Sequence, residues 1–242
     1  MTLLFRYSPQ SGLDWIAGRI CGPDGYVVVF DAEVHFDESG THASATVVGL
    51  AGYIILKDQY AALERDWDAV LNWDALPHKL PYFHMADCAP DPGNGVFAGI
   101  SKPLRIQIVS RLIAAIKRHT AMGFAVTVDI DQFNTFVGIG HPLYPDPYVL
   151  LMQTALVGVT QWIEANSPNI GRVAYFFEAG HQTRTFANAV LKLLFASPAW
   201  GPKYHYAGHA FVPKLGNPGV QAADLLAWQW LKDRKNASEG RA

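Results

Sequence analysis

The sequence has few of the residues that mark specialised classes of protein. Its 242 residues include only two cysteines, Cys21 and Cys88, which do not make a disulfide framework or a CxxC or Cys/His zinc pattern. The longest apolar run, residues 47–56, is too short to cross a bilayer. The first residues lack a basic stretch followed by a long apolar one. We therefore expect no secretory signal, no membrane segment and a cytoplasmic protein.

The chain also has no large excess of positive or negative charge. The chain has 19 Lys and Arg against 21 Asp and Glu, a net charge of −2, so an RNA or DNA partner would need a local basic patch. Half of the residues are hydrophobic and 17% are charged, which suits one large globular domain. We expect that domain over residues 31–235, after an N-terminal extension (1–30) and before a frayed polar tail (236–242).

Hydrophobic spacing predicts strands that alternate with helices. The expected strands are 26–30, 33–37, 46–56, 80–85, 124–130, 173–178 and 204–212, and the expected helices are 59–73, 101–119, 147–165, 183–197 and 219–232. Alternation in the second half indicates parallel pairing, whereas the first half has an antiparallel pattern. The expected fold class is therefore α/β, with a mixed central sheet flanked by helices.

The last predicted helix carries an acid within its apolar face. At 100° per residue, Asp224 lies inside the arc formed by Val220, Ala223, Ala227, Trp230 and Leu231. A buried carboxylate is costly unless it is neutralised, hydrogen-bonded or bound to a metal. Asp224 therefore indicates either a site shared with other acids or a structural hydrogen bond to a backbone N–H or a hydroxyl.

Acids also stand where predicted strands end. One strand-like run ends at Asp37 and Glu38, a second at Asp129 and a third at Glu178. The run before Glu178 is apolar on both faces. Sites in open α/β sheets form at the carboxyl ends of strands, where gathered carboxylates need a cation, and their hard oxygens suit Mg²⁺ or Mn²⁺. An acid after a strand is also a common turn residue or helix N-cap, the interpretation we favour for Asp129.

Further polar residues near these acids are candidates for accessory roles. One interpretation places His84 and Asp87 behind the acids as supporting groups. The other makes them an ordinary packed or surface pair. His181, three residues after Glu178, suits proton transfer or capping of the next helix. Candidate phosphate contacts, which are also ordinary surface charges by type, are Arg184, Lys203 and Lys214.

The motifs occur in an order that resembles a known family. Between residues 35 and 231 the chain carries H-F-D-E-S-G, F-H-M-A-D, F-A-V-T-V-D, Y-F-F-E-A-G and V-Q-A-A-D-L-L-A. This resembles the bacterial and phage family catalogued as domain of unknown function thirty-eight hundred, with D-E-S-G and Q-A-A-D-L-L-A as the specific pieces. The resemblance implies a ribonuclease H-like fold and metal-dependent nuclease activity on RNA or DNA.

The resemblance also assigns residues. Asp37 and Glu38 fill the first acidic motif, and Asp224 fills the last, with Gln221 one turn before it as an accessory residue. Glu178 stands where the family usually has an Asp, and it reaches one methylene further. Asp37, Glu178 and Asp224 are thus implied as catalytic residues that ligate two Mg²⁺ or Mn²⁺ ions.

Two other hypotheses stay open at this point. A non-catalytic ribonuclease H-like interaction or defence module predicts acids that do not converge, or that converge without binding metal. A hydrolase acting with paired carboxylates on a small substrate such as a sugar predicts a deep, aromatic-lined pocket beside two acids.

Overall fold

A five-stranded mixed sheet forms the centre of the protein. The computed structural model describes residues 30–40, 45–138, 140–141, 144, 146–180 and 184–238. The strands are β1 (Ala32–Ser39), β2 (Val47–Leu56), β3 (Met122–Asp129), β4 (Val173–Glu178) and β5 (Tyr206–Val212). Their order is β3-β2-β1-β4-β5, with β1, β4 and β5 parallel and β2 antiparallel to both of its neighbours.

Helices cover both faces of this sheet. They are α1 (Lys57–Leu71), α2 (Met85–Cys88), α3 (Lys102–His119), α4 (Ile130–Phe136), α5 (Pro147–Asn166), α6 (Arg184–Ala196), α7 (Trp200–Lys203) and α8 (Pro218–Ser238). One core lies between the sheet and α5 and α6, and another lies beneath α1, α3 and α8. The predicted α/β fold with a mixed central sheet is confirmed. Among the helices of the described residues, none is long and apolar enough to span a bilayer.

Alternation along β1 explains why the sheet carries two different faces. Successive strand residues point to opposite sides, so Val34 and Phe36 enter the core under α5. Glu33, His35 and Asp37 point to the other side, toward α8, and each is at most 2% exposed. A buried row of polar side chains therefore runs along the central strand to its carboxyl end.

The predicted strand at residues 80–85 is wrong. Leu80 to His84 form irregular chain, and Met85 begins α2. The backbone N–H groups of Phe83 and Met85 donate to the side chains of Gln221 and Asp224. This segment therefore satisfies its backbone through α8 rather than through a neighbouring strand.

The other differences concern the ends of elements and short helices. The sequence pattern did not predict α4 or α7, each of which is too short to show a helical period. The last helix continues to Ser238, into the expected tail, and residues 239–242 lie outside the described residues. The predicted N-terminal extension and the strand at 26–30 also lie outside them, except for Phe30.

Close packing of α8 on β1 depends on Gly219. A methyl group built on Gly219 would overlap the ring of His35. That ring is 1% exposed and stacks between Tyr60, at 5.3 Å, and Phe176, at 4.8 Å, so it has no room to move aside. Its Nε2 atom lies 2.8 Å from Glu33 Oε2. The first turn of α8 can therefore approach the strand only without a side chain at this position.

We expect Gly219→Ala to lower the free energy of unfolding by about 1–3 kcal/mol, because it overpacks a fixed ring. Gly158→Ala is the matched control, since a methyl group there, on helix α5, meets no atom within 4 Å. That control should raise stability by up to about 1 kcal/mol through helix propensity. Urea unfolding of the three proteins measures both effects, and an equally stable Gly219→Ala protein would contradict the packing.

Candidate metal centre

Four carboxylates meet at the carboxyl ends of β1 and β4. One oxygen each from Asp37, Glu38 and Glu178 lies within 4.8 Å of the others. Asp224 reaches the same place, because the ammonium of Lys214 lies 2.8 Å from Asp37 Oδ2 and 3.6 Å from Asp224 Oδ1. The structure thus brings together the three acids expected as metal ligands and Glu38, which the sequence predicts as an accessory residue of the same motif. These four residues are called the acid cluster below.

Strand register explains why two of the acids are neighbours. The parallel strands β1 and β4 pair with Phe36 opposite Phe177. The next residue on each strand, Asp37 and Glu178, therefore occupies an adjacent position at the end of the ladder. Glu38 follows directly, and its backbone N–H donates to Asp37 Oδ1 at 2.9 Å.

Asp224 is positioned from the helix side. Its Oδ2 accepts a hydrogen bond from the backbone N–H of Met85 at 2.6 Å, and its side chain is 9% exposed. Its Oδ1 lies toward Lys214 and toward His84, whose Nε2 is 3.7 Å away. Both interpretations of this buried acid therefore hold, since one oxygen makes a structural hydrogen bond and the other faces the cluster.

Burial and like charge act on the acidity of the cluster. Burial raises the pKa of Asp37 well above its ordinary value, against the opposing effect of the Lys214 ammonium. Burial and then the nearby charge of Glu178 raise the pKa of Glu38 to about 7. Burial by itself would lower the pKa of Lys214, but the carboxylates of Asp37 and Asp224 outweigh it and raise that pKa.

The donor set fits a hard divalent cation. Glu38 Oε2 is buried and has no hydrogen-bond partner among the described residues. A buried carboxylate oxygen without a partner is costly, and a cation would remove that cost. Side-chain carboxylates are the oxygen ligands that Mg²⁺ and Mn²⁺ prefer. Asp37, Glu38 and Glu178 are the residues placed to hold such an ion, with Asp224 beside them.

His84 and Asp87 lie at the edge of the cluster. His84 Nε2 faces Asp224, and Nδ1 lies 3.4 Å from Asp87 Oδ2. The two side chains are 34% and 23% exposed, so solvent reaches the cluster on this side. Both residues therefore lie beside an acid at the edge of the cluster, and their accessory role stays a prediction.

The hydrogen bonds of Gln221 go to groups outside the acid cluster's carboxylates. Gln221 is 1% exposed, and its Oε1 accepts hydrogen bonds from the Trp67 indole N–H at 2.8 Å and the Phe83 N–H at 2.7 Å. Its Nε2 donates to the backbone carbonyl of Lys214 at 2.7 Å. Gln221 therefore fixes the two chain segments on either side of Asp224, a structural role in support of the site.

Asp129 lies outside the acid cluster, contrary to its inclusion among the accessory residues. Its Oδ1 accepts a hydrogen bond from the Gln132 N–H at 2.9 Å, so it is the N-cap of α4. It pairs with Val47, whereas Asp37 pairs with Ala51 further along β2. The N-cap interpretation is confirmed. His181, the remaining accessory candidate, lies outside the described residues.

The basic residues expected as phosphate contacts separate in the structure. Lys203 lies over the Trp200 ring, 4.7 Å from its centroid. Arg184 donates to the carbonyl of Ala179 at 3.3 Å, beside the end of β4. The sequence does not predict that Lys214 contacts the acids, because no motif among its neighbours in the chain indicates such a contact. Its one signal is its position in the short connection between β5 and the helix that carries Asp224.

We expect the metal-free protein to become more stable as the pH falls. The pKa of Glu38 rises from 4.5 to about 7 on folding, so the folded state binds a proton more readily than the unfolded chain between these values. The free-energy cost of ionised Glu38 in the folded state is fully present above pH 7 and decreases as the pH falls below it. Thermal unfolding in EDTA at about pH 8 and about pH 5.5 measures the gain.

Glu38→Gln should reduce this pH dependence, because the substituted residue does not titrate. Glu164→Gln, an exposed position on α5, is the matched control and should leave it unchanged. Identical pH dependence in the wild type and the Glu38→Gln protein would contradict the raised pKa.

Comparisons with known proteins give structural similarity only. No family model and no curated protein matches the chain. Two solved structures of Bst-RNase HIII, one of a mutant and one in complex with Mn²⁺, are 14% and 13% identical to it. They cover 88% and 91% of this chain with TM-scores of 0.48 and 0.49, and the chain spans only 57% and 60% of their length. The PCNA:RNase HII complex from Archaeoglobus fulgidus is 11% identical, covers 88% of this chain and 79% of that one, and has a TM-score of 0.45.

Proposed function

We propose that the protein is a metal-dependent nuclease that hydrolyses phosphodiester bonds in RNA or DNA. The observation that carries this proposal is that Asp37, Glu38 and Glu178 bring carboxylate oxygens within 4.8 Å of one another while the buried Glu38 Oε2 has no hydrogen-bond partner among the described residues. Asp37, Glu38 and Glu178 would hold Mg²⁺ or Mn²⁺, and Asp224 completes the negative charge. A bound divalent cation lowers the pKa of water and polarises a phosphoryl oxygen.

The residues of the cluster also define what the protein itself contributes. Its side chains are carboxylates together with the Lys214 ammonium, and a water molecule activated by the bound cation would be the attacking nucleophile. The strand ends and α8 hold the carboxylates in place before substrate arrives, which reduces the reorganisation needed during the reaction. The family that the sequence resembles implies the same chemistry.

A nucleic-acid substrate requires positive charge near the acids. The net charge of the chain is −2, so this charge must be local. Arg184 and Lys192 line a cleft of about 540 Å³ together with Asn188 and His209. Arg184 also bonds to the carbonyl of Ala179, the residue after Glu178, so the Arg184 end of this cleft lies near the end of β4. Its two cations suit contacts to the phosphates of a strand that crosses the site.

We expect Mn²⁺ to raise the melting temperature of the wild type and Glu178→Gln to lose most of that gain. A ligand that binds only the folded state adds about 2.7 kcal/mol at a hundredfold excess over its Kd. Removing one carboxylate from the group around Glu38 weakens the binding. Thermal unfolding with and without Mn²⁺ measures the difference, and Glu164→Gln should behave as the wild type. An equal Mn²⁺ effect in Glu178→Gln would count against Glu178 as a ligand.

We expect metal-dependent cleavage of single-stranded, double-stranded or hybrid nucleic acid, and a loss of about a hundredfold or more in Asp37→Asn. EDTA should stop the reaction, and Asp129→Asn should retain it, because Asp129 caps a helix away from the cluster. Gel assays with labelled substrates test this, with thermal unfolding of each variant to check folding. If Mn²⁺ gives no cleavage above the Asp37→Asn background, the non-catalytic module becomes the better account.

A further inference from the structure

We propose that Lys214 supplies the second positive charge of the acid cluster, so that the protein holds one divalent cation where a two-metal site would hold two. This inference rests on the proposed function for the presence of any metal. It concerns the number of ions and the role of a lysine, which the proposed function leaves open.

The acid cluster contains two groups of carboxylates that share Asp37. Asp37, Glu38 and Glu178 form one group, with oxygens within 4.8 Å of one another. Asp37 and Asp224 form the other, and the Lys214 ammonium lies between them at 2.8 Å and 3.6 Å. The second group thus already has a cation, and it is part of the chain.

The connection that carries Lys214 is held in place by side chains around it. Gln221, itself buried, binds the backbone carbonyl of Lys214 at 2.7 Å. The side-chain amide of Asn217 donates to the carbonyls of Pro213 at 2.8 Å and Leu215 at 3.0 Å. The Lys214 side chain is only 17% exposed. This lysine is therefore directed into the cluster by its backbone, unlike a surface lysine that reaches an acid through a flexible side chain.

Like charge opposes a second divalent ion at the same place. An ion between Asp37 and Asp224 would lie against the Lys214 ammonium in a buried environment, where electrostatic repulsion is weakly screened. Displacing the ammonium would expose two buried acids and break its contacts with both.

The inference gives Lys214 a defined role in the reaction. Two-metal enzymes place one ion at the attacking oxygen and the other at the leaving oxygen. A fixed ammonium stabilises negative charge on a phosphoryl or leaving oxygen as an electrostatic group, although it cannot activate water. The group of Asp37, Glu38 and Glu178 would then hold the only cation that supplies the nucleophile.

The number of bound Mn²⁺ ions tests the inference without an activity assay. Isothermal titration, together with electron paramagnetic resonance of free Mn²⁺, should give one ion per chain for the wild type. Lys214→Met, which keeps the length but removes the charge, should bind a second ion. Adding Asp224→Asn to that variant should return the number to one. Lys203→Met, a lysine that lies over the Trp200 ring, is the matched control and should bind one.

The single variant Asp224→Asn keeps the test decisive if Lys214→Met fails to fold. With Lys214 in place, we expect Asp224→Asn to bind one ion, as the wild type does. Two ions in the wild type, falling to one in Asp224→Asn, would overturn the inference and leave the proposed nuclease standing. A single ion in folded Lys214→Met would also overturn it. A wild type that binds no Mn²⁺ would overturn both the inference and the proposed function.

Discussion

Repulsion among carboxylates at one end of the sheet is the interaction on which the surrounding structure depends. Asp37 and Glu178 are adjacent because β1 and β4 pair in parallel, and Glu38 follows in the chain. Burial first, and then the negative charge of neighbouring acids, raises the pKa of Asp37 and of Glu38. The fold offsets this cost with one ammonium, from Lys214, and with backbone N–H groups directed at individual oxygens.

The parts of the protein around the cluster serve to hold that arrangement. Gln221 ties α8 to Trp67, to the segment before α2 and to the connection that carries Lys214. Gly219 lets the same helix approach β1 closely enough to place Asp224 beside Asp37. In the irregular segment at residues 80–84, the Leu80 N–H donates to the Leu71 carbonyl of α1 and the Phe83 N–H donates to Gln221 of α8, rather than to a strand. The polar residues of α8 that face the sheet thus fix the positions of the acids.

Burying the acids together lowers the stability of the metal-free protein, but it creates a site that favours a cation. Buried, mutually repelling acids destabilise the metal-free fold, and a bound cation would recover that free energy. Functional sites commonly retain such unfavourable groups because activity requires them. The lysine inside the cluster reduces the cost without removing the negative charge, so the group of Asp37, Glu38 and Glu178 still favours a cation. Arg184, which bonds to the Ala179 carbonyl just after β4, lines a cleft with Lys192, and this cleft would supply positive charge for the proposed phosphate chain.

The sequence by itself determined the α/β class, most strand and helix positions and the acids worth testing. Local patterns are sufficient for these features, because hydrophobic period and strand-end position depend on neighbouring residues. Asp224 stood out in this way, as an acid on an apolar helix face. Only the tertiary structure decided that Asp129 is a helix cap while Glu38 belongs to the cluster, since both lie at the end of a strand but β3 is at the edge of the sheet and β1 is next to β4. It alone placed Lys214 between two acids and gave Gln221 its partners, because these contacts join residues that are distant in sequence.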